Sequence, residues 1–122
     1  MQGRLLPKYK GRYQAHPVGY WQSEFSLAKS LDLSCIEFIL DQNDLASNPL
    51  ETKAGRKEIK LVSGETGVEV RSVCADYFMT APPHRSQTSA DVLNRLILSA
   101  GAMAVEVVVV PCVDESSLIG AS

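Results

Sequence analysis

Three apolar runs of strand length recur along the chain, spaced by about 35 residues, the length of one βαβ unit. They are residues 35–40 (CIEFIL), 68–75 (VEVRSVCA) and 104–111 (AVEVVVVP). Segments with helical patterning separate them. The first helix is predicted over 21–31, where Trp21, Phe25, Ala28 and Leu31 fall on one apolar stripe. Asn48-Pro49 reads as an N-cap followed by proline in the first turn, and Gly55 as an interruption. A second helix is therefore predicted over 56–66, with Gly67 as its left-handed stop. Ser89 is expected to cap a third helix over 90–100. Its core stripe would be Leu93, Leu96, Ile97 and Ala100, and Gly101 would end it. The run 105–110 is expected to be the deepest strand, terminated by Pro111, which has no N–H to give.

This rhythm predicts an α/β fold, a parallel sheet with helical crossovers. In such sheets chemistry collects where the strands' carboxyl ends meet the following loops. That rule singles out Glu37, Asp41, Asp76, Tyr77, Pro111 and Asp114. Residues 3–19 show no period and read as a long loop, and long ordered loops are often functional.

Glu37 places a carboxylate inside an apolar strand. Unpaired burial there would cost several kcal/mol, so it needs an open cavity or a partner such as Arg71. Asp76 closes its strand and is either a site residue or a cap on the next loop. Glu106 lies early in its strand and is expected to be structural. His16 and His84 sit beside or near prolines in loops, where a lone histidine is usually solvated. No P-loop, GxGxxG or GxSxG motif is present.

The length predicts one domain. Twelve basic residues against fourteen acidic ones leave a net charge of −2, which argues against nucleic acid as a partner. Arg4, Lys8, Lys10 and Arg12 do cluster, interleaved with Tyr9 and Tyr13, as a solvated loop or a phosphate-contacting one. The start lacks the apolar core of a signal peptide, and no apolar run approaches the ~20 residues that span a bilayer. Cys35, Cys74 and Cys112 are odd in number and far apart, each in or beside a predicted strand. They read as buried thiols in a reducing cytoplasm, without the close spacing of a metal cluster. Both ends read as cut: MQGR resembles the last residues of a strand, and SSLIG the start of a helix. Residues 1–122 are thus expected to be a single incomplete domain, with exposed strand edges that favour self-association.

Three segments carry a family resemblance. Met1-Gln2-Gly3-Arg4-Leu5-Leu6-Pro7, Ile36-Glu37-Phe38, and Arg71 to Met79 (RSVCADYFM) resemble the xylose isomerase-like TIM barrels. They look closest to the sugar-phosphate isomerase/epimerase branch. The resemblance implies a (β/α)8 barrel of which this chain is about the first half. It implies a divalent metal (Mn, Mg, Co or Zn) in the intact protein, held by Glu, Asp, His and Glu on the later strands, none of which map onto this chain. It also implies a sugar or sugar phosphate as substrate. Gln2, Arg4, Glu37 and Asp76 match the substrate-facing side of the early loops. Two alternatives remain open. One is a non-catalytic sugar-binding or self-associating half-barrel. The other is a barrel of the endonuclease IV type, disfavoured by two histidines and an acidic balance.

Overall fold

A computed structural model describes residues 5–13, 15–113 and 116–119. The elements run α1 (Gln22–Ser30), β1 (Cys35–Ile39), α2 (Lys53–Thr66), β2 (Glu69–Cys74), α3 (Gln87–Ala102) and β3 (Val107–Val109). Short 3-10 turns occur at Leu45–Ser47, Pro49–Glu51 and Asp76–Met79. The described strands form one parallel sheet in the order β1-β2-β3, so the expectation of an α/β fold with helical crossovers holds. Sequential order means both crossovers step the same way. Right-handed crossings then place α2 and α3 on one face of the sheet.

The core fills the space between that face and the helices. Trp21, Phe25 and Ala28 of the first helical segment pack with Ile36, Phe38, Leu40, Ile59, Val68, Val73, Ala75, Val92 and Leu96. A register shift after Ile36 pairs Glu37 with Ser72, so Arg71 is an extra residue in β2. This bulge explains the phase slip of the second run: Val68 and Val70 face the core, then Val73 and Ala75 do. The register also fixes the opposite face. Glu37, Ser72 and Val107 form one row across it, and Ile39, Cys74 and Val109 the next.

Several expectations are corrected. The third strand is not the deepest but the edge of the described sheet, with Val107 51% and Val109 40% exposed. An all-apolar run looks the same from sequence at an edge as at a centre. Asn48-Pro49 does open a short capped turn as expected, here a 3-10 one, with Asn48 accepting from the Leu50 N–H at 3.0 Å. The second helix starts at Lys53, earlier than expected, because Thr52 caps it by accepting from Gly55 N–H at 2.9 Å. Gly55 therefore lies inside the first turn. Gly67 does end that helix, at φ 74°. The cap of α3 is Ser86, whose Oγ accepts from the Ser89 N–H; Ser89 itself is buried inside the helix. The helix passes Gly101, and the chain reverses at Ala104, φ 55°. Its buried stripe is Val92, Leu96, Ser99 and Ala100, whereas Ile97 and, on α1's flank, Leu31 are exposed. Cys112 is exposed as well, against the expectation that all three thiols are buried. Among the described residues no helix is long and apolar enough to cross a membrane.

Candidate functional site

The loop before the first helix folds back over the carboxyl end of β1. Its tip is a tight turn in which Lys10 (φ 49°) and Gly11 (φ 79°) both adopt left-handed backbone. Tyr9 and Arg12 exchange two backbone hydrogen bonds across it, at 2.8 and 3.0 Å. A two-residue turn with positive φ at both central positions closes on this single bridge, and glycine takes the second position at no steric cost.

Three side chains staple this turn to the loop after β1. Tyr9 donates its hydroxyl to Asp44 Oδ2 at 2.5 Å, and Lys10 Nζ donates to the same oxygen at 3.0 Å. Arg12 Nη2 donates to Asp41 Oδ2 at 2.7 Å. The Tyr9 hydroxyl, more than Lys10, holds the Asp44 carboxyl below its ordinary range, and the same bond pushes the Tyr9 phenol up. Both groups are at the surface, so these shifts carry little stability. Asp41 differs, because its side chain is only 3% exposed. It also accepts from the His16 backbone N–H at 3.4 Å.

Between these loops lies an open cavity of about 310 Å³, lined by Arg12, Asp41, Gln42, Asn43, Asp76, Met79 and Thr80. It sits beyond the carboxyl ends of β1 and β2, and its size matches a small polar molecule. Asp76 begins the 3-10 turn after β2, and its Oδ1 accepts from Cys74 Sγ at 3.2 Å. Thr80 donates its hydroxyl to Gln42 Oε1 and so bridges the two loops. The wall therefore offers one guanidinium, two carboxylates, two amides and a hydroxyl, an assortment suited to the hydroxyls of a polyol.

A second cleft, about 420 Å³, lies at the amino-terminal end of β2, between Lys60, Ser63, Glu69, Arg71 and Glu106. Its ion pair, Arg71 Nε to Glu69 Oε2 at 2.6 Å, is exposed on both sides. Exposed ion pairs of this kind add little, and the carboxyl-end cavity is the stronger candidate.

Compared with known proteins, the chain matches no family model and no curated sequence.

Of the residues singled out from sequence, Asp76 and Asp41 line the cavity. Glu37 does not. It lies two residues before the end of β1, on the sheet face opposite the helices, half-buried, and accepts from Ser72 Oγ at 2.6 Å. Its partner is thus a hydroxyl rather than Arg71. Gln2, Arg4 and Asp114 lie outside the described residues. His84 is exposed as expected, but His16 is buried and packs on the Phe38 ring at 5.5 Å, contrary to a solvated loop residue. Arg12, Gln42, Asn43 and Thr80 were not foreseen as a group. The Lys-Gly pair inside a polar-aromatic run was the available signal for Arg12, since it marks a turn that aims the next side chain. Among the described residues, no three His, Cys, Asp or Glu side chains converge to hold a metal ion.

Proposed function

We propose that the chain is the N-terminal part of a sugar or sugar-phosphate isomerase/epimerase barrel, in which a base removes a proton next to a carbonyl. The observation that supports this most is the joining of Arg12, Asp41 and Asp76 around one cavity beyond the ends of sequentially ordered parallel strands. Such an order is compatible with a barrel wall, and barrels place their sites at that end. The family resemblance expects a divalent metal, which would polarise the substrate oxygens. The described residues do not themselves form its ligand set, so they are assigned another task. Asp76, Asn43 and the Gln42–Thr80 pair would accept and donate hydrogen bonds to sugar hydroxyls. Arg12, held by Asp41, would keep the loop closed over them. The test is deuterium uptake from solvent at the carbon beside the carbonyl when the intact protein is given Mn2+ and a pentulose or hexulose phosphate. Exchange no faster than a metal-only blank would sink the reading.

The 122-residue chain alone is expected to be inert in that assay, since the resemblance puts the metal ligands on later strands. Turnover by this chain well above the blank would overturn its assignment as a substrate-side half.

In the intact protein, Asp76→Asn should lower kcat/KM at least ~10-fold, or about 1.4 kcal/mol of transition-state binding, with little change in Tm. Glu37→Gln should do the same if its row of the sheet faces the sugar. A Tm drop of several degrees with activity per folded molecule preserved would instead mark either carboxylate as a structural partner.

A second reading, a self-associating half-barrel without catalysis, is favoured by the exposed apolar edge at Val107 and Val109. It predicts concentration-dependent dimers or larger species in sedimentation velocity, reduced by Val107→Lys. A monomer at all concentrations would remove it.

A further inference from the structure

The segment before α1 is seated at both ends and exposed at its tip. Leu6 is 6% exposed, and Ala15 and His16 are each 2% exposed. Between these anchors Lys10, Gly11, Arg12 and Tyr13 all stand at the surface. The turn meets the loop after β1 through the Tyr9 and Lys10 bonds to Asp44 and the Arg12 bond to Asp41. These contacts are polar, and the side chains of Lys10, Arg12 and Asp44 are 54, 51 and 39% exposed. Each exposed contact of this kind shifts a population only a few-fold, less than the burial of one large apolar side chain does. The backbone also favours release. Lys10 (φ 49°) and Asp44 (φ 53°) touch each other, and both hold left-handed conformations. For lysine that conformation is costly and persists where contacts impose it, so freeing Lys10 offsets part of the lost bond. Asp41 keeps a partner when Arg12 moves, because it also accepts from the His16 N–H at 3.4 Å, and His16 belongs to a seated end. The turn matters to the cavity because Arg12 shares its lining with Asn43 of the loop after β1 and with Asp76 and Thr80 of the loop after β2.

We propose that the Tyr9–Arg12 turn is a lid on the carboxyl-end cavity, shut in this conformation. Asp44 latches its tip and Asp41 its flank. It opens by lifting between the Leu6 and Ala15 anchors, which withdraws Arg12 from the cavity wall and lets a small molecule enter or leave. Such loops move on the microsecond-to-millisecond scale. The lid is independent of which reaction, if any, the cavity serves.

The test is 15N relaxation dispersion on the 122-residue chain. The amides of Arg12, Asn43, Asp44 and Thr80 should share one exchange process, while Leu6, His16 and the β2 amides stay flat. The Val107–Val109 amides at the exposed sheet edge are followed as the reference for exchange caused by self-association. Asp44→Asn removes the charge of the latch and keeps a residue that tolerates left-handed backbone, and it should raise the open population at least about 3-fold. Tyr9→Phe, which removes one latching hydroxyl, should raise it as well and serves if Asp44→Asn does not fold. Sodium chloride at roughly 0.5 M should act in the same direction, since it screens exposed pairs. Flat profiles at Arg12 and Asn43, or an open population that neither variant raises, would overturn the lid. So would exchange confined to the turn with Asn43 and Thr80 silent, because the turn would then move without the cavity. Exchange of equal size at His16 and β2 would overturn it too, since the whole segment would then be unfolding rather than its tip lifting.

Discussion

Gly55→Ala should destabilise the protein by about 3 kcal/mol, although alanine is the better helix former by about 1 kcal/mol. The reason is a close approach of backbone to backbone. A Cβ on Gly55 would lie 2.3 Å from the Pro49 carbonyl oxygen and 2.5 Å from Pro49 Cα, and neither can rotate away. The Pro49–Glu51 turn is fixed from several sides. Leu50 is 1% exposed in the core, its carbonyl accepts from Arg56 Nη1 at 2.9 Å, and Asn48 Nδ2 donates to Ile39 O at 2.9 Å. Moving Pro49 therefore disturbs the end of β1 and the loop that carries Asp41. Gly64 in the same helix is the control, because a Cβ there meets nothing within 4 Å. Gly64→Ala should stabilise by roughly 0.5–1 kcal/mol. Urea melts of the two variants should move in opposite directions, with Tm falling by roughly 10 °C for Gly55→Ala. If both variants gain stability, the close approach of Pro49 to the helix is wrong.

Gly55 also illustrates what sequence patterning reaches. A glycine inside a helical pattern reads as a break, yet here it marks where another segment of backbone passes. Local signals with a mechanism survived: Gly67 as a left-handed stop, Asn48 as an acceptor for the following turn, and the three strands with their parallel sense. What failed depended on neighbours distant in sequence. Whether 107–109 lies at a sheet's centre or edge is decided by strand order, not by three valines. Helix α3 buries the expected Leu96 and Ala100 and packs Leu93 on the core's margin, but it adds Val92 and Ser99 to the buried stripe and leaves Ile97 exposed, a choice made by what the helix packs against. The cavity was half legible. Asp41 and Asp76 follow from the strand-end rule, whereas Arg12 reaches them only through a turn 29 residues upstream of Asp41. The burial of His16 had no local signal at all: it follows from the fold-back of that loop onto Phe38.

That burial makes a strong prediction of acid sensitivity. His16 is 2% exposed, its Nε2 has no hydrogen-bond partner, and burial lowers its pKa to about 4, only partly opposed by the charge of Asp41. An unfolded histidine titrates near 6.5. Between these values the unfolded chain binds the proton and the folded one does not, so stability falls as pH falls. The contribution is fully present above about pH 6.5 and is lost on the way to about pH 4, up to roughly 3 kcal/mol in total. The window lies apart from that of the Tyr9–Asp44 contact. Asp44 is depressed from 3.8, so its contribution is present above that value and lost only at lower pH. Urea denaturation between pH 7 and 4.5 should therefore show a steep decline that His16→Leu abolishes. Leucine keeps the apolar packing on Phe38 and carries no proton site, so the variant should have a flat profile whatever its stability at pH 7. A wild-type profile that is flat over this range, or a slope that persists in His16→Leu, would show that His16 is hydrated in solution and that the loop does not seal over β1.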